Sequence, residues 1–197
     1  MNKALQPDMR GRLRVATAEA HERMHGHPGF AAAASGEITP SAYRDLLTRL
    51  YGFQAPFEAA AERAPRELRD AIDMAARAKT TLIAADLAAL GFAGRLEDLP
   101  RCETLPEWGD EAEWLGALYV TEGSTLGGAQ IAKALARSPH PETREARRFF
   151  LAYGEKRGQM WRSLLDRLET LADDEAADRR SRLAAATTFA AFEAWMR

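Results

Sequence analysis

Two segments of this chain carry residues whose types and spacing allow joint chemistry. Histidine is scarce, with only His21, His25, His27 and His140, so a role for imidazole has few candidates. His21 shares a helical face with Leu13, Thr17 and Met24, and its neighbours Ala16, Thr17, Ala18 and Ala20 are small. That spacing points His21 inward, and small neighbours leave space beside the ring. An inward imidazole is either a core residue with a partner or a metal ligand through one ring nitrogen. The second segment, from Leu118 to Lys133, reads as a helix, yet Gly123, Gly127 and Gly128 sit inside it. Each glycine in a helix interior costs about 1 kcal/mol relative to alanine. Their spacing sets all three near one face. A face without side chains permits close helix packing, or lets something flat and wide approach the backbone. Ser124, Thr125 and Tyr119 beside the glycines favour a ligand pocket. A histidine on one helix facing bare backbone on another makes a sandwich for a planar metallocofactor, with the imidazole on iron and the glycines over the other side.

A sharper motif competes for the same residues. His21-Glu-Arg-Met-His25 matches the H-E-x-x-H pattern of zinc proteases, with Glu22 as the base. Its context argues against that chemistry. Too little chain precedes it for a substrate-holding sheet, and Gly26 and Pro28 end the helix at once. The extended pattern would need Gly and His where Pro28 and Ala31 stand. His25 and His27 then fall at an exposed helix end, where cations suit the dipole. A third cluster runs from Tyr153 to Arg162, with Gly154 and Gly158 one turn apart and Lys156, Arg157 and Arg162 near them. It reads as a solvated charged face, or as cations holding an anionic ligand edge, for which the arginine fork is suited. Arg14, two turns before His21, offers the same. Trp161 and Trp195 read as packing. Glu122 reads either as a buried acid or as a surface residue in a helix pair. There is no nucleophile constellation, dinucleotide loop, Walker loop or di-iron Glu-x-x-His spacing.

The elements that must position these residues are helices. Apolar residues recur at helical spacing almost everywhere, and no strand pattern stands out. Asp8 caps a first helix running to about His25, and a short turn of helix follows at Phe30–Ser35. Thr39-Pro40 opens a long helix with Tyr43, Leu46, Leu47, Leu50 and Phe53 inward and a kink at Pro56. A helix from Pro65 to Leu90 stops at Gly91, and residues 91–110 form an irregular connection. The glycine-interrupted helix spans about Glu111–Arg137, another about Glu142–Leu171, and the last about Asp174–Trp195. The expectation is one all-α domain over residues 1–197, a bundle of about seven helices.

Composition narrows the partners. A net charge of −2 without a basic block excludes nucleic acid as the main partner. The single cysteine, Cys102, allows no intramolecular disulfide and fits a reducing compartment. Met1–Asp8 lacks the apolar stretch of a secretory signal, and no apolar run approaches the ~18 residues of a membrane span. The expected location is the cytoplasm, with no membrane partner.

At this point the chain resembles the heme oxygenases, the bacterial biliverdin-producing branch in particular. The likeness rests on Leu13-Arg-Val-Ala-Thr-Ala-Glu-Ala-His21, on Leu118-Tyr-Val-Thr-Glu-Gly-Ser-Thr-Leu-Gly-Gly128 and on Gln159-Met-Trp-Arg-Ser163, and the helix order extends it over nearly the whole chain. The resemblance implies that His21 is the proximal heme ligand and that the Gly123–Gly128 segment, with Ser124 and Thr125, lies over the distal side. It sets Tyr119 and Arg162 near the heme propionates, with Arg14 as a further basic residue there. The reaction it implies is oxygen-dependent opening of heme to biliverdin, carbon monoxide and ferrous iron. Heme is then both substrate and cofactor, molecular oxygen the oxidant, and a ferredoxin or flavoprotein reductase the electron donor. A phytochrome is an implied acceptor of biliverdin; a heme carrier or sensor without turnover is the alternative. Many members carry a distal aspartate that orders water, and the matching position here is Ser124. The animal enzymes set a lysine near a propionate, and its match here is Gly158, leaving Lys156 or Arg157 to substitute.

Overall fold

The computed structural model describes residues 8–197, which form helices and connecting turns without a strand. Residues 1–7, most of the segment read above for a secretory signal, lie outside the described residues. Local chemistry sets the helix starts. In α1 (Met9–His25) the Asp8 carboxylate accepts from the Gly11 amide at 2.7 Å. Helix α2 (Pro28–Ser35) begins on a proline and ends at Gly36, whose φ of 79° is the left-handed conformation a C-cap needs. Thr39 caps α3 (Pro40–Ala61) through the Ala42 amide, and Pro56 lies inside α3 without ending it.

The expected helix from Pro65 to Leu90 is three pieces: α4 (Arg66–Ala71), a 3₁₀ turn (Met74–Arg77) and α5 (Thr80–Ala89). Asp73 is left-handed, with φ 49°, and its side chain caps the 3₁₀ turn, which breaks the ladder. Gly91 ends α5 with φ 75°, as its position predicts. The long connection after it holds one 3₁₀ turn, Leu96–Asp98. Asp110 caps α6 (Glu111–Leu135), the glycine-interrupted helix, which runs unbroken.

The expected helix Glu142–Leu171 is also broken, into α7 (Pro141–Glu145), a string of turns, a 3₁₀ turn (Gly154–Lys156) and α8 (Arg157–Glu169). Tyr153 and Gly154 are both left-handed, with φ 68° and 52°. Buried Asp86 of α5 accepts from the Arg148 and Phe149 amides at 3.0 and 2.9 Å, so these donors serve a tertiary contact instead of a helix. Burial pushes the Asp86 carboxyl up, and these amides oppose that shift. The last helix is α9 (Glu175–Met196). The described residues thus hold nine α-helices, not seven. None of them is long and apolar enough to cross a membrane.

Helix α6 joins two apolar clusters. Its first half packs with Leu13, Phe57, Leu68, Trp108, Trp161 and Leu164; its end, Ala132 and Leu135, packs with Tyr43, Leu47, Ile83 and Phe150. Its axis is held against α9 by a very close approach at Gly116, where a Cβ would stand 2.0 Å from the Ser181 carbonyl oxygen. Helices α1 and α6 both rest on α8 and α9; their own backbones come close at few points, and they meet through side chains such as Leu13.

Candidate functional site

Helix α1 buries only Met9, Leu13, Thr17 and Met24. His21 continues this stripe by spacing, yet it is exposed instead of inward. The face is as expected; the covering is not. Among the described residues the His21 ring lies by the His25 ring, with ring centres 4.6 Å apart, and by the edge of Phe189 from α9, 6.4 Å away. Neither ring nitrogen of His21 has a hydrogen-bond partner among the described residues. Partial desolvation, then the neighbouring His25 and Arg14, hold its imidazole below the ordinary 6.5 against the pull of Glu22. A neutral ring with a free nitrogen is what an iron ligand requires.

The glycines of α6 divide between two roles. A Cβ at Gly127 would meet nothing within 4 Å, and one at Gly123 would only graze the Trp161 ring at 3.8 Å. Gly128 is buried, where a Cβ would come within 3.1 Å of the Phe150 carbonyl oxygen. So Gly128 is not on the bare face with the other two; it permits close packing. The packing reading of the glycine segment holds at Gly128, and the face at Gly127 is left uncovered. Ser124 is exposed and donates to the Thr121 carbonyl at 2.7 Å; Thr125 is buried and donates to the Glu122 carbonyl at 2.7 Å. Bonded back to their own helix, both hydroxyls keep lone pairs for a further donor.

Cations gather toward the other end of α1. Tyr119 of α6 is half-buried against Trp161, with ring centres 5.5 Å apart. Burial raises its hydroxyl pKa, and Arg10 and Arg14 pull it back, which places Tyr119 beside the α1 arginines. Arg14 and Arg162 are exposed, and the Arg162 guanidinium folds over Gly158, where a Cβ would stand 3.3 Å from Nη1. Gly158 thus makes room for an arginine. The indole nitrogen of Trp161 is buried without a hydrogen-bond partner among the described residues.

Behind the glycines lies a charged cluster. Glu122 is 1 % exposed, and its carboxylate accepts from Arg77 Nη1 at 2.8 Å, Lys79 Nζ at 2.6 Å and the Tyr153 hydroxyl at 2.9 Å. Arg77 also donates to the carbonyls of Ile72 and Met160 and to the Ser163 hydroxyl. Glu58 accepts from the Lys79 and Thr80 amides and the Thr80 hydroxyl. Burial first, then the Glu122 charge, drives the Tyr153 hydroxyl pKa well above its ordinary range, so it stays a donor. The left-handed backbone at Tyr153, costing about 1–2 kcal/mol, is offset by this contact. Glu122 is therefore the buried acid of the two readings. Its place on the stripe Leu115–Leu118–Glu122–Thr125 is the signal that could have decided it. Arg77 and Lys79 gave no such signal, because they sit where a continuous helix was expected. A cavity of about 600 Å³ borders this cluster, and a second of about 630 Å³ lies by Arg12, Asp178 and Arg182. Neither is lined by His21 or by the glycines.

An alanine at 127 enters open space, so it should stabilise α6 by about 0.5–1 kcal/mol through helix propensity. It would also add a side-chain atom where the backbone is now bare. Thermal melts should rise by a few degrees while any ligand seated on Gly127 is displaced; a fall in the melt would mean that Gly127 is packed.

The family model described as heme oxygenase matches residues 8–197. The heme oxygenase of Leptospira interrogans superposes with a TM-score of 0.76 at 17% identity, over 96% of this chain and 98% of that one. The NO- and CO-bound heme oxygenase of Neisseria meningitidis gives 0.71 at 20%, over 98% and 92%. Heme oxygenase-1 of the cyanobacterium Synechocystis, in complex with heme, gives 0.70 at 15%, over 96% and 91%. A sequence comparison with curated proteins finds no match. With its family model matched over all the described residues and the all-α fold shared with these structures, the chain belongs to the heme oxygenase family and is a heme-degrading oxidoreductase.

Proposed function

We propose that this chain cleaves heme with molecular oxygen to biliverdin, carbon monoxide and ferrous iron, drawing electrons from a ferredoxin or a flavoprotein reductase. The observation that carries this reading is a pair of uncovered faces, the His21 ring on α1 and Gly127 on α6. The helices that bear them share supports, and their backbones come close at few points. The residues fit the group: His21 offers a free ring nitrogen, Gly123 and Gly127 offer bare backbone, and Arg14 and Arg162 are exposed cations for the two propionates. Heme, once bound, supplies the iron that activates oxygen and the macrocycle that is oxidised. His21 orients it from the α1 side. Gly127 and Gly123 allow close approach from α6, leave room for O₂ and crowd it toward the porphyrin edge. Ser124, exposed beside Gly123 and Gly127, holds distal water with nearby carbonyls, whereas Thr125 lies on the buried stripe and supports the helix from behind. Tyr119 lies beside the propionate cations, and Gly128 fixes α6 on the Phe150 turn. The whole chain, residues 1–197, acts as one domain in the cytoplasm, and a phytochrome is a suitable biliverdin acceptor.

The test is an absorbance record with one equivalent of hemin, then ascorbate in air. A sharp Soret band that decays as biliverdin's broad red absorption grows is expected. A band that persists, with a physiological reductase as well, would make the protein a carrier or sensor. No saturable change would sink the heme reading. His21→Ala should weaken hemin binding by about 100-fold or more, beyond the usual cost of losing a mere supporting residue. Since the His21 pKa lies below 6.5, the neutral ligand predominates at pH 7. Hemin affinity should therefore stay flat from pH 8 to 7 and fall only once the pH drops below that lowered value, as protons compete for the ring.

A further inference from the structure

We propose that His21 and His25 together bind a divalent first-row transition ion on the open side of α1 when heme is absent, and that such an ion and heme compete for His21. Binding of the ion stands on geometry alone; only the competition rests on the heme reading. The two histidines are one turn apart on the same helix face, and both are exposed. Neither has a hydrogen-bond partner among the described residues. His27 differs: its ring nitrogens are occupied by the Gly29 amide and the Met196 carbonyl, at 3.2 and 3.1 Å.

The ring separation suits one shared ion. A coordinated imidazole nitrogen lies ~2.1 Å from the metal, which sets the ring centre ~3.2 Å away. Two such rings at angles between square and tetrahedral have centres roughly 4.5–5.2 Å apart. The observed separation is 4.6 Å, with the planes tilted by 59°. The pair is thus already spaced for chelation without movement of α1.

The ligand type selects the ion. Imidazole suits zinc, cobalt, nickel and ferrous iron, whereas magnesium and calcium want oxygen ligands. No group of three or more His, Cys, Asp or Glu residues able to hold a metal exists among the described residues, so water fills the remaining positions. Glu22, one residue on from His21, points about 100° away around the helix and is not a ligand. The H-E-x-x-H segment therefore reads as a two-histidine chelate and not as a hydrolytic centre. Ferrous iron, the product proposed above, belongs to the same class of ion. Released beside His21, it would find His25 as its next ligand.

Zinc ion serves as the probe. Heme-free protein at neutral pH is titrated with Zn²⁺ against a colorimetric zinc indicator. One saturable equivalent is expected, weakened at least about tenfold in His21→Ala and in His25→Ala and unchanged in His27→Ala. Hemin added to the zinc-loaded protein should return zinc to the indicator. His25→Ala, which leaves the heme ligand in place, should still develop the hemin Soret band, showing that this variant is folded. Absence of saturable zinc binding, or binding that His25→Ala leaves intact, would overturn the proposal. If the wild type takes zinc through this pair but shows no Soret change with hemin, the ion site stands and the heme reading fails.

Discussion

Glu122→Leu is expected to unfold at markedly lower denaturant and temperature than the parent chain. The substitution leaves Arg77 Nη1 and Lys79 Nζ buried without the carboxylate they share at 2.8 and 2.6 Å. Both cations are almost fully buried, at 3 % and 2 % exposure, so little of the lost partner's charge is replaced by solvent. Removing one member of a buried ion group costs about 3–5 kcal/mol, most of it the penalty for the charge left behind. For a chain of this size that is roughly a 10 °C fall in melting temperature. The cost should be non-additive. Lys79→Met alone still leaves Arg77 and Tyr153 bonded to Glu122, and Lys79→Met in the Glu122→Leu background should recover part of the loss. A urea series on the three proteins decides it. If Glu122→Leu shifts the midpoint by less than ~1 kcal/mol, the cluster does not hold the fold.

The second large effect is expected at Gly116. A Cβ there would lie 2.0 Å from the Ser181 carbonyl oxygen, 2.8 Å from its carbon and 3.1 Å from the Ala184 Cβ. The obstacle is backbone of another helix, so no rotamer change relieves it; α6 and α9 must move apart. Overpacking typically costs 1–3 kcal/mol, and a backbone clash this close belongs at or above the top of that range. Gly116→Ala should therefore lose about 3 kcal/mol or more, although alanine is the better helix former. Gly127→Ala, on the same helix, is expected to gain. Opposite signs for one substitution on one helix separate a packing glycine from an uncovered one. Equal losses at both sites would mean that Gly127 is packed too. Because α9 also brings Phe189 to His21, Gly116→Ala should disturb hemin binding as well.

Helix starts and stops were legible because they depend on a few adjacent residues. Asp8, Thr39-Pro40 and Gly91 do what their types predict, and the broad all-α character follows from the apolar spacing. The interruptions were not legible. Asp73 breaks one expected helix through its left-handed backbone and its own side-chain cap, and the other is broken near Tyr153 and Gly154 because distant groups hold the chain there: Glu122 takes the Tyr153 hydroxyl, and Asp86 takes the amides of Arg148 and Phe149. A helical period in the residues between them is real, but long-range bonds outcompete the local ladder.

The same division runs through the candidate site. The sequence by itself determined which residues can serve: a scarce histidine on the first helix, glycines in a long helix, and arginines nearby. Helical spacing and side-chain chemistry are local properties, so one chain suffices to read them. Only the tertiary structure decided which faces stay open. His21 lies on the expected stripe but is left uncovered. Gly127 is bare while Gly128 is packed, because the Phe150 turn reaches one and not the other. Glu122 became a buried partner to two cations from a segment more than forty residues earlier. Burial and charge pairing depend on what arrives from elsewhere in the chain, and no window of adjacent residues contains that information.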